Sequence, residues 1–363
     1  MKKSLLKFLI KAVSLYFSVN GALKALFLKA DSSYITKITK HNDLMLGDIY
    51  AIFVYYEPNG KFSRSAENIL TELKLQKVNV LLVSNCPISE EQNEKISKLV
   101  HIAMERENQG FDFGAYKDAI LFMKRENYEP NRVLLLNDSV YYFKKSLKYF
   151  VSKMLKDGYV TAAFENWEAP HTNHLQSFAV GIDEATFSSS QFSEFWSNYK
   201  PVSSRLYAIE NGEKKLSKAI IGNFPKIDIL YSADNVYNKL KSTIDNDTLL
   251  PTMLPKLHRR KIFRNISKNK SASDLAHEII KKYSSGPFSP AHVGFYINAN
   301  SCPVVKKDLI YRDVYDFWEV ENICREFYCD EQEIEEFLTI LRRKGNKYSL
   351  SMFNKLKHFA GAL

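Results

Sequence analysis

The chain is 363 residues long, 45% hydrophobic and 13% aromatic, which is enough apolar material to bury a large core and excludes a disordered polymer. One main domain with appendages is the expected organisation. Lys and Arg number 51 against 41 Asp and Glu, and the resulting charge of +10 favours anionic partners, among them nucleotide diphosphates, lipid phosphates and nucleic acid.

The stretch from Lys2 to Lys29 is apolar but broken by Lys7, Lys11 and Lys24. Its longest uncharged run, Ala12 to Leu23, is shorter than the roughly 20 residues that cross hydrocarbon, so a span is not expected. Ser4, Lys7, Lys11, Ser14 and Ser18 recur at helical spacing as a narrow polar stripe. Residues 4–28 are therefore expected to form an amphipathic helix that lies on a membrane surface or docks on the protein. A signal peptide beginning at Lys2-Lys3 is the rival, disfavoured because Lys7 and Lys11 fall where its apolar core belongs.

A polar stretch around Asp31 to Gly47 closes this N-terminal part, 1–47. A buried strand is expected over 49–56, ending in the turn Glu57-Pro58-Asn59-Gly60, and then a helix over 63–75. A strand at 78–83 stops at Ser84-Asn85-Cys86-Pro87, a helix follows at 90–99, and 100–104 reads as a short strand. Asp112 to Arg125 reads as helix and Val133 to Leu136 as the next strand. Four such alternations argue for a mostly parallel α/β sheet. Strands at 159–164 and 176–182 then flank a polar, aromatic loop, 165–175. Helices at 190–199 and 213–221 and a strand at 227–231 complete a domain expected over 48–245. The remainder, 246–363, holds a basic run from Lys256 to Lys270 and a helical C-terminal portion. Cys86, Cys302, Cys324 and Cys329 match neither a zinc ribbon nor a disulfide-stapled module, and reduced thiols in a cytosolic setting fit them.

Two motifs carry chemistry. The apolar run Val133-Leu134-Leu135-Leu136 ends abruptly in Asn137-Asp138-Ser139, delivering a carboxylate to the carboxyl edge of a sheet, where α/β proteins bind ligands. Upstream, Asn108-x-Gly110-x-Asp112-x-Gly114 is a glycine-punctuated turn opening a helix, and exposed amides there suit a phosphate or a nucleoside hydroxyl. Asp138 is equally suited to capping a turn, and Asp112 to capping the helix. Lys117 reads as a solvated helix residue. Glu165, Glu168, His171, His174 and Glu213 are the groups placed to act as a base, and His174 and Gln176, two apart, would face one side of a strand. Glu213 is as reasonably an acid in the first turn of a helix.

The chain resembles the rhamnan synthesis F family of bacterial glycosyltransferase-like proteins. The resemblance rests on Asn108-x-Gly110-x-Asp112-x-Gly114-x-Tyr116-Lys117, Leu136-Asn137-Asp138-Ser139, His174-Leu175-Gln176-Ser177, Glu213-x-x-Leu216-Ser217, Pro290-Ala291-His292 and Pro303-Val304-Val305-Lys306-Lys307. It covers roughly residues 48 to 312. It implies a GT-A-like α/β fold, a nucleotide-sugar donor and a role in surface polysaccharide assembly. GT-A transferases commonly hold a divalent metal through Asp-x-Asp, whereas this chain offers Asn137-Asp138-Ser139. One carboxylate with waters and the diphosphate remains compatible with Mg or Mn, with His292 approaching from the C-terminal portion.

The expected protein is thus a glycosyltransferase moving a sugar, rhamnose included, to a polysaccharide or lipid-linked glycan, cytoplasmic and peripheral at the inner face of the cell membrane. Asn108, Gly110, Asp112, Gly114, Asn137, Ser139 and Gln176 would hold the donor. Asp138, Glu213 and His174 would be catalytic. The absent acid at Asn137 motivates the alternative, a non-catalytic carbohydrate-binding or scaffolding subunit. No RNA-binding sheet signature or zinc finger accompanies the basic run, so nucleic acid is not an expected partner.

Overall fold

The structure, a computed structural model, describes residues 2–42, 48–168, 172–244, 274, 290–293, 295–345, 350–360 and 362–363. The basic run at 256–270 and His171 lie outside the described residues. Helix α1, Lys2–Phe27, precedes an edge strand β1, Ile35–Lys40. Then come β2 Ile49–Tyr55, α2 Arg64–Leu75, β3 Asn79–Ser84, α3 Glu90–Ile96, β4 Ile102–Arg106, α4 Phe111–Arg125 and β5 Arg132–Asn137. These agree with the expected elements to within about three residues, while β1 falls in the stretch read as polar linker.

The local causes are plain. Ser63 caps α2 by accepting from the Ala66 amide at 3.2 Å, and Ala66, Ile69, Leu70 and Leu73 repeat at the spacing that buries one helical face. Ser89 and Gln92 close a capping box on α3. Every residue of β3 and β5 is buried, as strands covered on both faces require.

The large sheet runs β1-β4-β3-β2-β5-β10-β7-β11, where β7 is Val160–Ala162, β10 Ala179–Asp183 and β11 Ile227–Ile229. Strands β4, β3, β2 and β5 are mutually parallel, and β1 and β10 join them antiparallel. From β2 the chain steps outward to β3 and β4, then returns across to β5. The order therefore reverses between β2 and β5, and crevices open at the carboxyl ends of strands where such a reversal occurs. The register aligns those ends, pairing Val54 with Asn137 and Tyr55 with Ser84.

Alternation along β2 feeds two cores. Ala51, Phe53 and Tyr55 pack with α2 and with α5, Leu147–Met154, whereas Tyr50, Ile52 and Val54 pack with α4 and Trp196. Burial of each such side chain contributes about 1.5–3 kcal/mol. A third core joins Tyr141 and Phe143 to the helices Phe317–Phe327 and Glu331–Lys344, with Phe143 stacked on Tyr328 at 3.8 Å. The C-terminal portion is thus fastened to the sheet domain. Strand β12, Val304–Lys306, pairs antiparallel with β6, Val140–Tyr142, and the amides of Arg64 and Lys144 donate to Glu336 and Glu333 at 3.0 and 3.1 Å. The expected polar loop at 165–175 is a hairpin instead, β8 Glu165–Glu168 against β9 Thr172–Leu175.

Candidate functional site

The two motifs meet at the reversal point. Asn137 Nδ2 donates to Asp112 Oδ2 at 3.0 Å, joining the tip of β5 to the first turn of α4. Asn137 Oδ1 accepts from both the amide and the hydroxyl of Ser139, at 3.0 and 2.6 Å, so its NH2 group is left to face Asp112. This accounts for an amide where Asp-x-Asp would have an acid: a carboxylate at 137 would oppose Asp112 at hydrogen-bond distance. Asp138 Oδ2 accepts from the Tyr56 amide at 3.2 Å and lies 4.0 Å from Lys307 Nζ.

Helix α4 is aimed by its glycines. Gly110 has φ +77°, and a Cβ there would lie 2.4 Å from Pro201 Cβ; at Gly114 one would lie 2.2 Å from the Gln109 carbonyl. Gly110 occupies the N-cap position, so Asp112 sits in the first turn and does not cap, which leaves its carboxylate for the crevice. Beneath the turn, the wholly buried Arg106 binds Asp118 at 2.8 Å and the Gln109 carbonyl at 2.7 Å and reaches Asn85. Sequence reasoning missed this clamp, whose one visible signal is a charge closing the apolar strand Ile102-Ala103-Met104. Lys117 is a correction: it is fully buried and donates to the carbonyls of Tyr199 and Ala30, because the chain after α1 and the end of helix Ser190–Asn198 cover α4.

A cavity of 560 Å³ opens beside this junction. Asp112, Ser177, Arg205 and Glu213 give it polar walls, and Phe111, Phe113, Phe17 of α1 and the C-terminal Leu363 give it apolar ones. Glu213 ends a π-helical turn, Ala208–Glu213, ahead of helix Lys214–Ile221. Its carboxylate accepts from the Ser177 amide at 2.9 Å and hydroxyl at 3.1 Å and pairs with the buried His174 at 3.3 Å. Burial alone would raise the Glu213 carboxyl, but the His174 and Ser177 contacts and Lys306 outweigh it and hold it below its ordinary range. Asp112 goes the other way. Burial, and then the neighbouring Asp138 charge, push it up to about 7 against the partial relief of Lys306, Lys307 and Arg106.

Because the folded-state value of Asp112 exceeds its ordinary 3.8, its contribution to stability is full below about pH 4 and is lost as pH rises through 7. The melting temperature of the natural chain is expected to fall relative to Asp112→Asn between pH 5 and 8, by a modest amount since the group keeps some contact with solvent. Parallel melting curves across that range would contradict the assignment.

The remaining expected site residues divide. Gln176 is buried next to His174, but it follows β9 rather than sharing a strand with it. Asn108 is exposed and Ser139 is at the surface of the β5 tip. His292 does not join Asp138: its ring nitrogen is hydrogen-bonded to Asp308 at 2.8 Å, and Arg312 holds the other Asp308 oxygen at 3.3 Å. Among the described residues no group of three or more His, Cys, Asp or Glu is placed to hold a metal ion. The donor set does not fit a resident metal either, since Asp138 faces an ammonium and Asp112 faces an amide NH2. Sequence reasoning also passed over Lys306 and Lys307 as site residues, although it marked the segment that carries them. What hid them was the pairing of β12 with β6, a contact between residues more than 160 apart in the chain.

The family described as "Rhamnan synthesis protein F" matches over residues 80–288. The uncharacterized protein y4gN of Sinorhizobium fredii is 28% identical over 195 residues, 53% of this chain and 51% of that protein, so the chain spans about half the length of this curated relative. A crystal structure from Desulfovibrio desulfuricans, assigned as a nucleotide-diphospho-sugar transferase, overlaps 66% of this chain and 99% of its own at 14% identity and a TM-score of 0.26. The mannosyltransferase PcManGT from Pyrobaculum calidifontis, in complex with GDP-Man and Mn2+, overlaps 93% of this chain and 98% of its own at 9% identity and a TM-score of 0.32.

Proposed function

The chain belongs to the rhamnan synthesis protein F family, and from that premise and the geometry of the crevice we propose that it is a glycosyltransferase using a nucleotide diphosphate sugar. The observation that carries this reading is the 3.0 Å contact between Asn137 and Asp112, which unites a glycine-opened helix start with a strand tip at the sheet's reversal point. The donor lies across that junction, against the Gly110 to Gly114 turn and the Asn137 to Ser139 tip. The acceptor occupies the adjoining 560 Å³ cavity.

Two carboxylates line the cavity with opposite tendencies, and separated affinities of this kind assign acid–base roles. Glu213, held ionised by His174 and Ser177, is a weak base and suits a hydrogen-bond acceptor that orients an acceptor hydroxyl. Asp112, at about 7, is matched to removing the proton from the attacking hydroxyl near neutral pH. His174, buried behind Glu213, positions that carboxylate without touching substrate. The test is a panel of sugar nucleotides with lipid-linked and free glycan acceptors, followed by release of nucleoside diphosphate. Turnover with one donor, lost in Asp112→Asn, is expected. Binding of glycan without turnover of any donor would favour a carbohydrate-binding subunit.

A lipid-linked acceptor and a site on the inner face of the cell membrane are part of the proposal. The outward side of α1 exposes Leu5, Phe8, Leu15, Leu23, Leu26 and Phe27, with Lys11 and Lys29 exposed too, as are Phe353 and Phe359 of the neighbouring helix Met352–Phe359. The segment Phe8–Phe27 is long and apolar enough to cross a membrane by length and composition. Its other side, however, packs on the protein: Phe17 and Asn20 line the cavity, a Cβ on buried Gly21 would lie 3.3 Å from Ser204 and Tyr207, and Lys200 donates to the Ala25 carbonyl at 2.8 Å. A helix with one polar-anchored side suits the interface plane. The full chain is expected to float with vesicles containing anionic lipid and to be released by alkaline carbonate, and Leu15→Glu with Leu26→Glu to abolish flotation. Resistance to carbonate would indicate a span instead.

A further inference from the structure

The crevice lacks a fitting metal cage, yet transfer from a nucleotide diphosphate builds negative charge on the leaving phosphates that some cation must offset. Strand β12 supplies cations at that place. Its pairing sets Lys306 opposite Val140, and the Lys307 amide donates to the Ser139 carbonyl at 3.4 Å, so both lysines are registered against the β5 tip by backbone hydrogen bonds. Lys307 Nζ stands 4.0 Å from Asp138. Lys306 Nζ rests 4.0 Å above the Phe178 ring and, among the described residues, closes no ion pair. Arg205, exposed on the cavity wall, adds a third cation.

Resting on the glycosyltransferase reading above, we propose that Lys306 and Lys307 bind the donor diphosphate directly and take the place of a divalent metal ion. Asp138 is then a positioning residue: it holds Lys307 toward the crevice through charge, and is itself tied down by the Tyr56 amide. Lys306 carries a cost when the site is empty. Burial draws the Lys306 amine below its ordinary value, opposed by the Asp308 and Glu213 charges, and a diphosphate would return it to its fully charged state. Two registered ammonium groups also suit a diphosphate, since each can face one phosphate as a point charge.

The experiment is calorimetric titration of the full-length chain with UDP, GDP, dTDP and inorganic pyrophosphate, each in EDTA and in Mn2+. Lys306→Ala, Lys307→Ala and Lys307→Arg are titrated alongside, with folding checked by circular dichroism. At least one nucleoside diphosphate is expected to bind in EDTA with an affinity within about threefold of that in Mn2+. Each alanine variant is expected to lose tenfold or more, and Lys307→Arg to keep most of the affinity. Binding only in Mn2+, or undiminished binding by both alanine variants, would overturn the lysine site while leaving the glycosyltransferase reading standing. No binding of any probe in either condition would overturn both. Should an alanine variant fail to fold, the comparison of EDTA with Mn2+ on the natural chain decides alone.

Discussion

Replacing Asp112 with Asn is expected to lower kcat for sugar transfer by about 10²–10⁴, the usual worth of a positioned general base, without loss of the fold. The variant keeps an oxygen for the Asn137 donor at 3.0 Å and removes only the group that can take a proton. In the natural chain the rate should rise with pH through about 7, where Asp112 loses its proton. In the variant the residual rate should be flat across that range. A loss in kcat with the pH dependence retained would move the base to another residue, and activity within about twofold of the natural chain would remove Asp112 from the chemistry. Because Glu213 is held in its charged form, Glu213→Gln should act differently, raising KM for the acceptor more than it lowers kcat.

Arg106→Ala is expected to be the most damaging substitution for stability. Arg106 and Asp118 are 0% and 2% exposed and bound at 2.8 Å, so truncating the arginine strands a buried carboxylate at a cost of about 3–5 kcal/mol. The same change frees Asn85 and the Gln109 carbonyl, which Arg106 also holds, and so loosens the turn that sets Gly110 and Asp112. Chemical denaturation of Arg106→Ala, Asp118→Asn and the double variant checks this. The double variant should be more stable than Arg106→Ala, since it removes the unpaired charge along with its partner. A midpoint for Arg106→Ala within about 1 kcal/mol of the natural chain would show that the pair contributes little.

What the sequence makes legible follows the range of the interactions. Strands β2, β3 and β5 are buried on both faces, so each announces itself as an unbroken apolar run, and the helices between them carry local caps and a repeating apolar face. The junction of Asp112 with Asn137 is foreseeable for the same reason, because parallel order places both at strand carboxyl ends. Residues whose roles depend on distant pairing are not legible in this way. Lys306 and Lys307 enter the crevice only because three-residue strands β6 and β12 pair across the chain. Lys117 resembles any solvated helix lysine until Ala30 and Tyr199 arrive to cover it. The chemistry of His292 suits a place beside Asp138, but Asp308, 16 residues further along the chain, binds its ring instead. Periodicity marks α1 as an apolar helix with a polar stripe, but nothing local shows which of its sides the helix Met352–Phe359 and the Ser204 turn will cover.

The central claim is that the glycine-opened turn and the β5 tip form one binding site for a sugar nucleotide. Its most direct test is the position of a nucleotide sugar in crystals of the full chain grown with the donor that turns over. The account predicts the diphosphate within hydrogen-bond reach of Lys306 and Lys307 and the sugar beside Asp112, facing the cavity that Glu213 lines. A nucleotide bound elsewhere, for example in the groove lined by Glu57, Lys61 and Arg343, would contradict it.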